Sequence, residues 1–237
     1  LDGDLPLDIL STTQILWQSE SWENGTLGFT TVVKNDRGLN PDNKYYLYYA
    51  HHDPISGIGV AVADTLTGPY TKISPPDSRV LIPSGGSPNQ HYSTPKVVWN
   101  EDMNLWHMYF HFWNNSHFQW RKTMKQGFGH QMTALATTAD LSSHDWTGWE
   151  DHKVPTNPPL RPVLPSTSAR WMNSQSSYHA VQRLPNGQWL AFLRGTGGEL
   201  DKSAPGGWRQ DRTALGFATS RDGRHWTCLT QNPVLHE

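Results

Sequence analysis

The sequence predicts an all-β chain, a β-propeller of four-stranded blades, and three observations carry that expectation. First, the segments GVAVADTLTGPYT, TALATTADLSSHDWT and ALGFATSRDGRHWT share one grammar. Small and apolar residues lead through an Asp into a turn that closes on an aromatic residue and Thr. Second, the segments recur at roughly 75 residues, within reach of a propeller blade with insertions. Third, 12 Trp, 8 Tyr, 20 Gly and 17 Pro with only 17% charged residues suit strands and turns better than helices. A two-sheet immunoglobulin-like sandwich would not show this repetition.

One propeller domain is therefore expected over 1–237, with blade-like units at about 28–75, 91–150 and 177–230. Ile9 to Trp17 reads as a possible first strand. In the first unit, Phe29–Lys34, Tyr45–Ala50 and Gly57–Ala63 read as strands A, B and C, and Tyr70–Ile73 as a short outer strand D. The aromatic run YYLYYA and the valine-rich GIGVAVA have strong β-propensity, while Pro54 and Gly57 supply the turn between them. In the second unit Ser93–Trp99, Leu105–His111 and His130–Thr138 take the same places, with a long insertion from Phe112 to Gly129. In the third, Ser177–Leu184 leads through the tight turn Pro185-Asn186-Gly187 to Gln188–Arg194. Gly195 to Asp211 then reads as a second insertion before Arg212–Thr219. Propellers close with about 4–8 blades. Three units leave the ring to be completed by residues 1–27 and the tail from Gln231, by a longer chain, or by a second copy.

A net charge of −2 gives no basic field for nucleic acid or an anionic membrane. No apolar run is long enough to span a bilayer. Cys228 is the only cysteine, so no intrachain disulfide can form. Phosphate-loop and HExxH motifs are absent.

YYLYYAHH, GVAVADTLTGPY, STPKVVW, MYFH and SRDGRHW together resemble the five-bladed propeller glycoside hydrolases, families 43 and 117 and their neighbours. The resemblance covers about residues 28–230. It implies a carbohydrate substrate, an exported (secreted or periplasmic) protein, and catalysis by paired carboxylates, one protonating the leaving oxygen and one activating water. It also implies a catalytic base early in a strand A. Those positions here read Thr30-Thr31, Thr94-Pro95-Lys96 and Tyr178-His179, without an Asp, and Lys96 stands where neighbouring families carry one.

The remaining candidates lie at strand ends that should converge on one channel mouth. For catalysis these are Glu199 in RGTGGELD, Asp53 beside the histidine pair, and His111 at the end of a strand B. For substrate binding they are His51, His52, His91, Gln131, His179 and Arg194, the last through a guanidinium fork suited to a carboxylated or sulfated sugar. The histidines could also hold a divalent cation, calcium or zinc, in the channel. Each histidine has the alternative of a structural hydrogen bond in a loop. Asp64, Asp140 and Asp222 fall in corner turns, where an Asp caps backbone N–H groups.

The function expected is an exo-acting glycoside hydrolase working with acid and base carboxylates. The alternatives are a carbohydrate-binding propeller that does not cleave, a truncated propeller or a subunit whose ring is completed by oligomerisation, and a lyase.

Overall fold

A computed structural model describes residues 13–23, 26–51, 56–73, 77–82, 91–113, 132–148, 170–172, 175–200, 203 and 208–236. They form three antiparallel sheets, each a meander ordered as the sequence runs, and the fold is that of a β-propeller. The first blade is β1 (Gly28–Lys34), β2 (Tyr45–Ala50), β3 (Ile58–Ala63) and β4 (Thr71–Lys72), with β5 (Arg79–Leu81) added along β3. The second is β6 (His91–Asn100), β7 (Leu105–Trp113), β8 (Met132–Thr138) and β9 (Thr147–Gly148). The third is β10 (Gln175–Arg183), β11 (Trp189–Leu200), β12 (Trp208–Ser220) and β13 (Trp226–Cys228), with β14 (Leu235–His236) along β12.

Four expectations need correction. Residues 13–17 of the possible first strand are not extended into any sheet, and 9–12 lie outside the described residues. His91 is the first residue of β6 and not a residue ahead of the strand. The tail adds a strand to the third blade, through Ala214↔His236 and Leu215↔Leu235. Gly195 to Asp211 is for the most part strand: β11 and β12 stay paired out to Leu200↔Trp208. The glycines of RGTGGELD favour a loop locally, but the ladder formed by Trp189–Arg194 and Arg212–Ser220 continues through them at little cost, with a bulge between Thr196 and Gly198.

Blades stack face to face, so a middle strand must be apolar on both sides. In β7 Trp106, Met108, Phe110 and Phe112 pack toward the first blade, joining Tyr46 and Tyr48 of β2 in one core. Tyr109 alternates to the other face and packs with Val181, Trp189 and Leu193 of the third blade.

The shared corner turns are what join the blades. In the second blade Asp140 Oδ1 accepts from the Ser142 backbone N–H at 2.8 Å, while Asp140 Oδ2 accepts from Asn40 of the first blade at 2.7 Å. The Leu39 N–H donates to the Ala139 carbonyl at 2.7 Å. Gly38, at φ +85°, passes so close that a Cβ there would stand 2.6 Å from that carbonyl oxygen. Trp146, which closes the turn, meets Tyr48 edge-on at 5.7 Å and 86°.

The third blade repeats the joint. Asp222 Oδ1 accepts from the backbone N–H groups of Arg224 and His225 at 2.8 and 2.9 Å. Burial works to raise this carboxyl's pKa, but the His225 N–H and ring, the Arg224 N–H and the Ser220 hydroxyl hold it well below the usual range. Asn100 of the second blade donates to the Asp222 carbonyl at 3.0 Å, Tyr109 Oη to the Gly223 carbonyl at 2.5 Å, and Trp226 meets Tyr109 edge-on at 6.0 Å. The corner of the first blade has no blade before it among the described residues, and residues 13–23 fill the place. The Tyr70 N–H donates to the Ile15 carbonyl, and Tyr70 is buried with Trp22 and Tyr49. Asp64 departs from the expected capping role and pairs with Lys44 at 3.5 Å on the exposed surface.

His107 lies sealed in the second joint, stacked on Trp189 at 5.9 Å. Asn100 donates toward its Nε2 at 3.3 Å, which leaves the proton on Nδ1, facing Tyr109 Oη at 3.4 Å. Burial lowers its pKa to about 4, with Arg224 adding to the effect and Asp222 opposing it. Between that value and the ordinary 6.5 the unfolded chain binds a proton that the folded chain does not. His107 therefore favours folding fully above about pH 6.5 and progressively less as pH falls toward 4, by roughly 3 kcal/mol over the range. Urea midpoints at pH 7.5 and 4.5 test this: His107→Gln lowers stability at pH 7.5 but flattens the decline to pH 4.5. A decline as steep as in the unsubstituted chain would place the titration elsewhere. Trp226→Ala, which removes the edge-on ring, is expected to cost about 3 kcal/mol in the same assay.

Candidate functional site

The two rims of the array differ. One carries the turns between strands A and B together with the Asp corners. The other carries the starts of β1, β6 and β10, the ends of β2 and β7, the starts of β3 and β8, and the extended β11–β12 hairpin. The long B-to-C connections, 51–57 and 114–131, leave from this second rim. Connections carried by a rigid scaffold are where binding groups concentrate.

All three inner strands are bulged at this rim, and at the same place. The register shifts between Gly28 and Thr31 in β1, between Ser93 and Lys96 in β6, and between Tyr178 and Ala180 in β10. Each bulge inserts one residue and turns the strand end out of its ladder. The bulged pairs are Phe29-Thr30, Thr94-Pro95 and Tyr178-His179. Phe29 at φ +52° and Thr94 at φ +54° occupy the left-handed region, unusual for side chains of this size. Such strain costs about 1–3 kcal/mol per residue and gathers at functional sites.

The ladders also fix which residues are equivalent. Ala50, His111 and Arg194 pair with Gly28, Ser93 and Ser177, and so hold one position in successive blades. His111 is buried at this position, on the strand face shared with Tyr109. Arg194 is half-buried, and among the described residues no hydrogen bond or ion pair engages its guanidinium. The hydroxyls of Ser177 and Thr196, each 1% exposed, have no hydrogen-bond partner. An orphan hydroxyl of this kind costs about 1–3 kcal/mol. His51 follows Ala50 and is buried, with Nδ1 on the Thr26 hydroxyl at 2.7 Å and Nε2 without a partner. Lys96, directly after the second bulge, is half-buried on the inner strand.

The other expected residues distribute as follows. His91 and His179 are on β6 and β10 at this rim, His179 inside the third bulge. Glu199 is on β11, its Cα paired with that of Arg209 five residues beyond Arg194. It belongs to the hairpin and not to a loop. His52, Asp53 and Gln131 lie outside the described residues. Among the described residues no three His, Cys, Asp or Glu side chains are grouped to hold a metal ion, so the calcium or zinc expectation has no ligand set there. No helix there is long and apolar enough to cross a membrane.

Sequence reasoning missed Phe29, Thr94, Ser177 and Thr196. Neither strained residue is Gly, Asn or Asp, so nothing in the sequence marks a positive φ. Ser177 and Thr196 matter through register and burial, which composition does not reveal.

No known family profile matches the sequence, and no curated protein matches it. Solved structures do. A family 117 glycoside hydrolase from the marine bacterium Zobellia galactanivorans is 14% identical, with a TM-score of 0.54, over 95% of this chain and 62% of its own. An endo-1,4-β-xylanase from Bacteroides thetaiotaomicron is 13% identical, with a TM-score of 0.54, over 91% and 57%. An N-acetylgalactosamine deacetylase from F. plautii is 11% identical, with a TM-score of 0.53, over 92% and 56%. The likeness is one of fold, and the chain spans between 56% and 62% of these proteins' length.

The strain at the bulges yields a prediction. Thr94→Gly relieves the positive φ and is expected to raise stability by about 1 kcal/mol in thermal or urea unfolding, the strain removed less the entropy glycine adds. A loss of stability would mean that contacts of the Thr94 side chain outweigh the strain.

Proposed function

We propose that the chain acts on carbohydrate at the bulged rim, as a glycoside hydrolase. The observation that carries this reading is the recurrence of one bulge at the same end of three inner strands. It turns the ends of three successive inner strands out of their ladders at one rim. The fold-likeness to glycoside hydrolases supports it. In this reading Glu199, on the hairpin that overhangs the rim, serves as general acid. Asp53 serves as the base that activates water, and His111 orients the sugar. Direct displacement by water requires the two carboxyl groups to stand about 6.5–9.5 Å apart, and cleavage proceeds from a chain end. Export to a secreted or periplasmic location belongs to the same proposal.

One observation favours a second reading. None of the three bulged pairs carries a carboxylate, and Lys96 follows one of them. A propeller that binds glycan through His, Arg and Ser/Thr groups without cleaving it would need no acid there.

Sugar release from a panel of aryl glycosides and plant and marine oligosaccharides separates the two, with Glu199→Gln beside the unsubstituted chain. Hydrolysis that falls about 10²–10⁴-fold in Glu199→Gln supports the acid assignment. Binding of an oligosaccharide by calorimetry with no release of sugar establishes the second reading and retires the first.

A further inference from the structure

We propose that the rim of the third blade is a pocket for an anionic sugar substituent, a carboxylate or a sulfate ester, with Arg194 as its cation and Ser177 and Thr196 as its hydroxyl donors. The inference rests on the carbohydrate reading of this rim and gives it a substrate class.

Register puts the three side chains together. Ser177 and Arg194 are Cα partners across β10 and β11, so both point to one face of the sheet with Cβ atoms about 4.5–5.5 Å apart. Thr196 is two residues beyond Arg194 on β11 and returns to that face. It stands diagonal to Ser177, at about 7–8 Å. A triangle of this size brackets a single carboxylate or sulfate group.

The chemistry selects its occupant. A guanidinium only donates hydrogen bonds, and it does so in a planar fork that fits two oxygens of one acid group. Two buried hydroxyls beside it, neither with a partner, add two more donors. A group rich in acceptors and carrying negative charge satisfies all of them at once. A neutral sugar hydroxyl offers one oxygen and no charge. Among the described residues no carboxylate answers Arg194 from within the chain. The arrangement is particular to this blade: the equivalent positions are Gly28 with Ala50 in the first and Ser93 with His111 in the second.

Calorimetry at pH 7 with three ligands tests the pocket: an oligouronate, the same oligosaccharide with its carboxyls reduced to alcohols, and a sulfated galactan oligosaccharide. The expected result is that an acidic ligand binds at least tenfold tighter than the reduced one, with an advantage that shrinks as salt rises. Preference for the oligouronate or for the sulfated ligand identifies the source of the anion. Arg194→Gln removes the advantage, and Arg194→Lys, which keeps the charge but not the fork, retains only part of it. Thr196→Val gives a readout that a structural role would not: deleting an orphan hydroxyl raises the melting temperature while it weakens the acidic ligand. Equal binding of acidic and reduced ligands, or an advantage that survives Arg194→Gln, overturns the inference and leaves the carbohydrate reading standing. Binding of no saccharide at all overturns both.

Discussion

The joint between blades is the interaction on which everything else depends. A four-stranded blade has two apolar faces and cannot bury either alone. Here the corner turns of the second and third blades are finished by the blade before them: the Asp caps its own turn, while the aromatic residue that closes the turn stands edge-on to a buried Tyr of the neighbour. The polar half of the joint sets the angle and the apolar half supplies the burial. Asn40 reaches Asp140, Asn100 reaches the Asp222 carbonyl, and Tyr109 reaches the Gly223 carbonyl. Because the same contacts recur, the second and third blades are placed by one rule. The first, with no blade before it among the described residues, borrows residues 13–23 to satisfy Tyr70.

That joint lies at one rim, and its consequence is felt at the other. Short A-to-B turns and capped corners rigidify the first rim. The strands then reach the opposite rim with their direction already set and with no neighbour's turn to complete. Bulges and positive φ values can be held there because the strand interiors are locked by packing on both faces. Strain of this kind in β1 and β6 is stabilised from the far end of the same strands.

Much of the architecture was legible in the sequence because the corner motif is local. Asp, the turn and the closing aromatic residue lie within seven positions, and their physical roles follow from short-range capping and from the need to cover an apolar ring. The B strands were legible for a related reason: YYLYYA and LWHMYFH are apolar on both faces, as stacking demands. The hairpin from Gly195 to Asp211 is not legible in the sequence, because its glycines and charges are local loop signals while cross-strand pairing, a non-local effect, keeps the strands together. The rim was only partly legible. His51, His111 and Arg194 could be placed by their position at strand ends. Ser177 and Thr196 are ordinary residues in sequence and become informative only because both are buried without partners.

The acids argue where chemistry can reside. A general acid must hold its proton near neutral pH, which calls for a carboxyl whose pKa is raised by burial or by a neighbouring negative charge. The described carboxyls with shifted values all move the other way. Burial works to raise Glu23, Asp77, Asp140 and Asp222, yet Lys72, Arg79, Ser142 with Asn40, and the His225 turn more than reverse it. Asp36 is drawn down by its bond to Arg37. Each of these five is therefore spent on structure, in an ion pair or a cap, and is unsuited to giving up a proton to a leaving sugar. Glu199, by contrast, is carried by the ladder five residues past Arg194 along β11, at the rim opposite the corner turns.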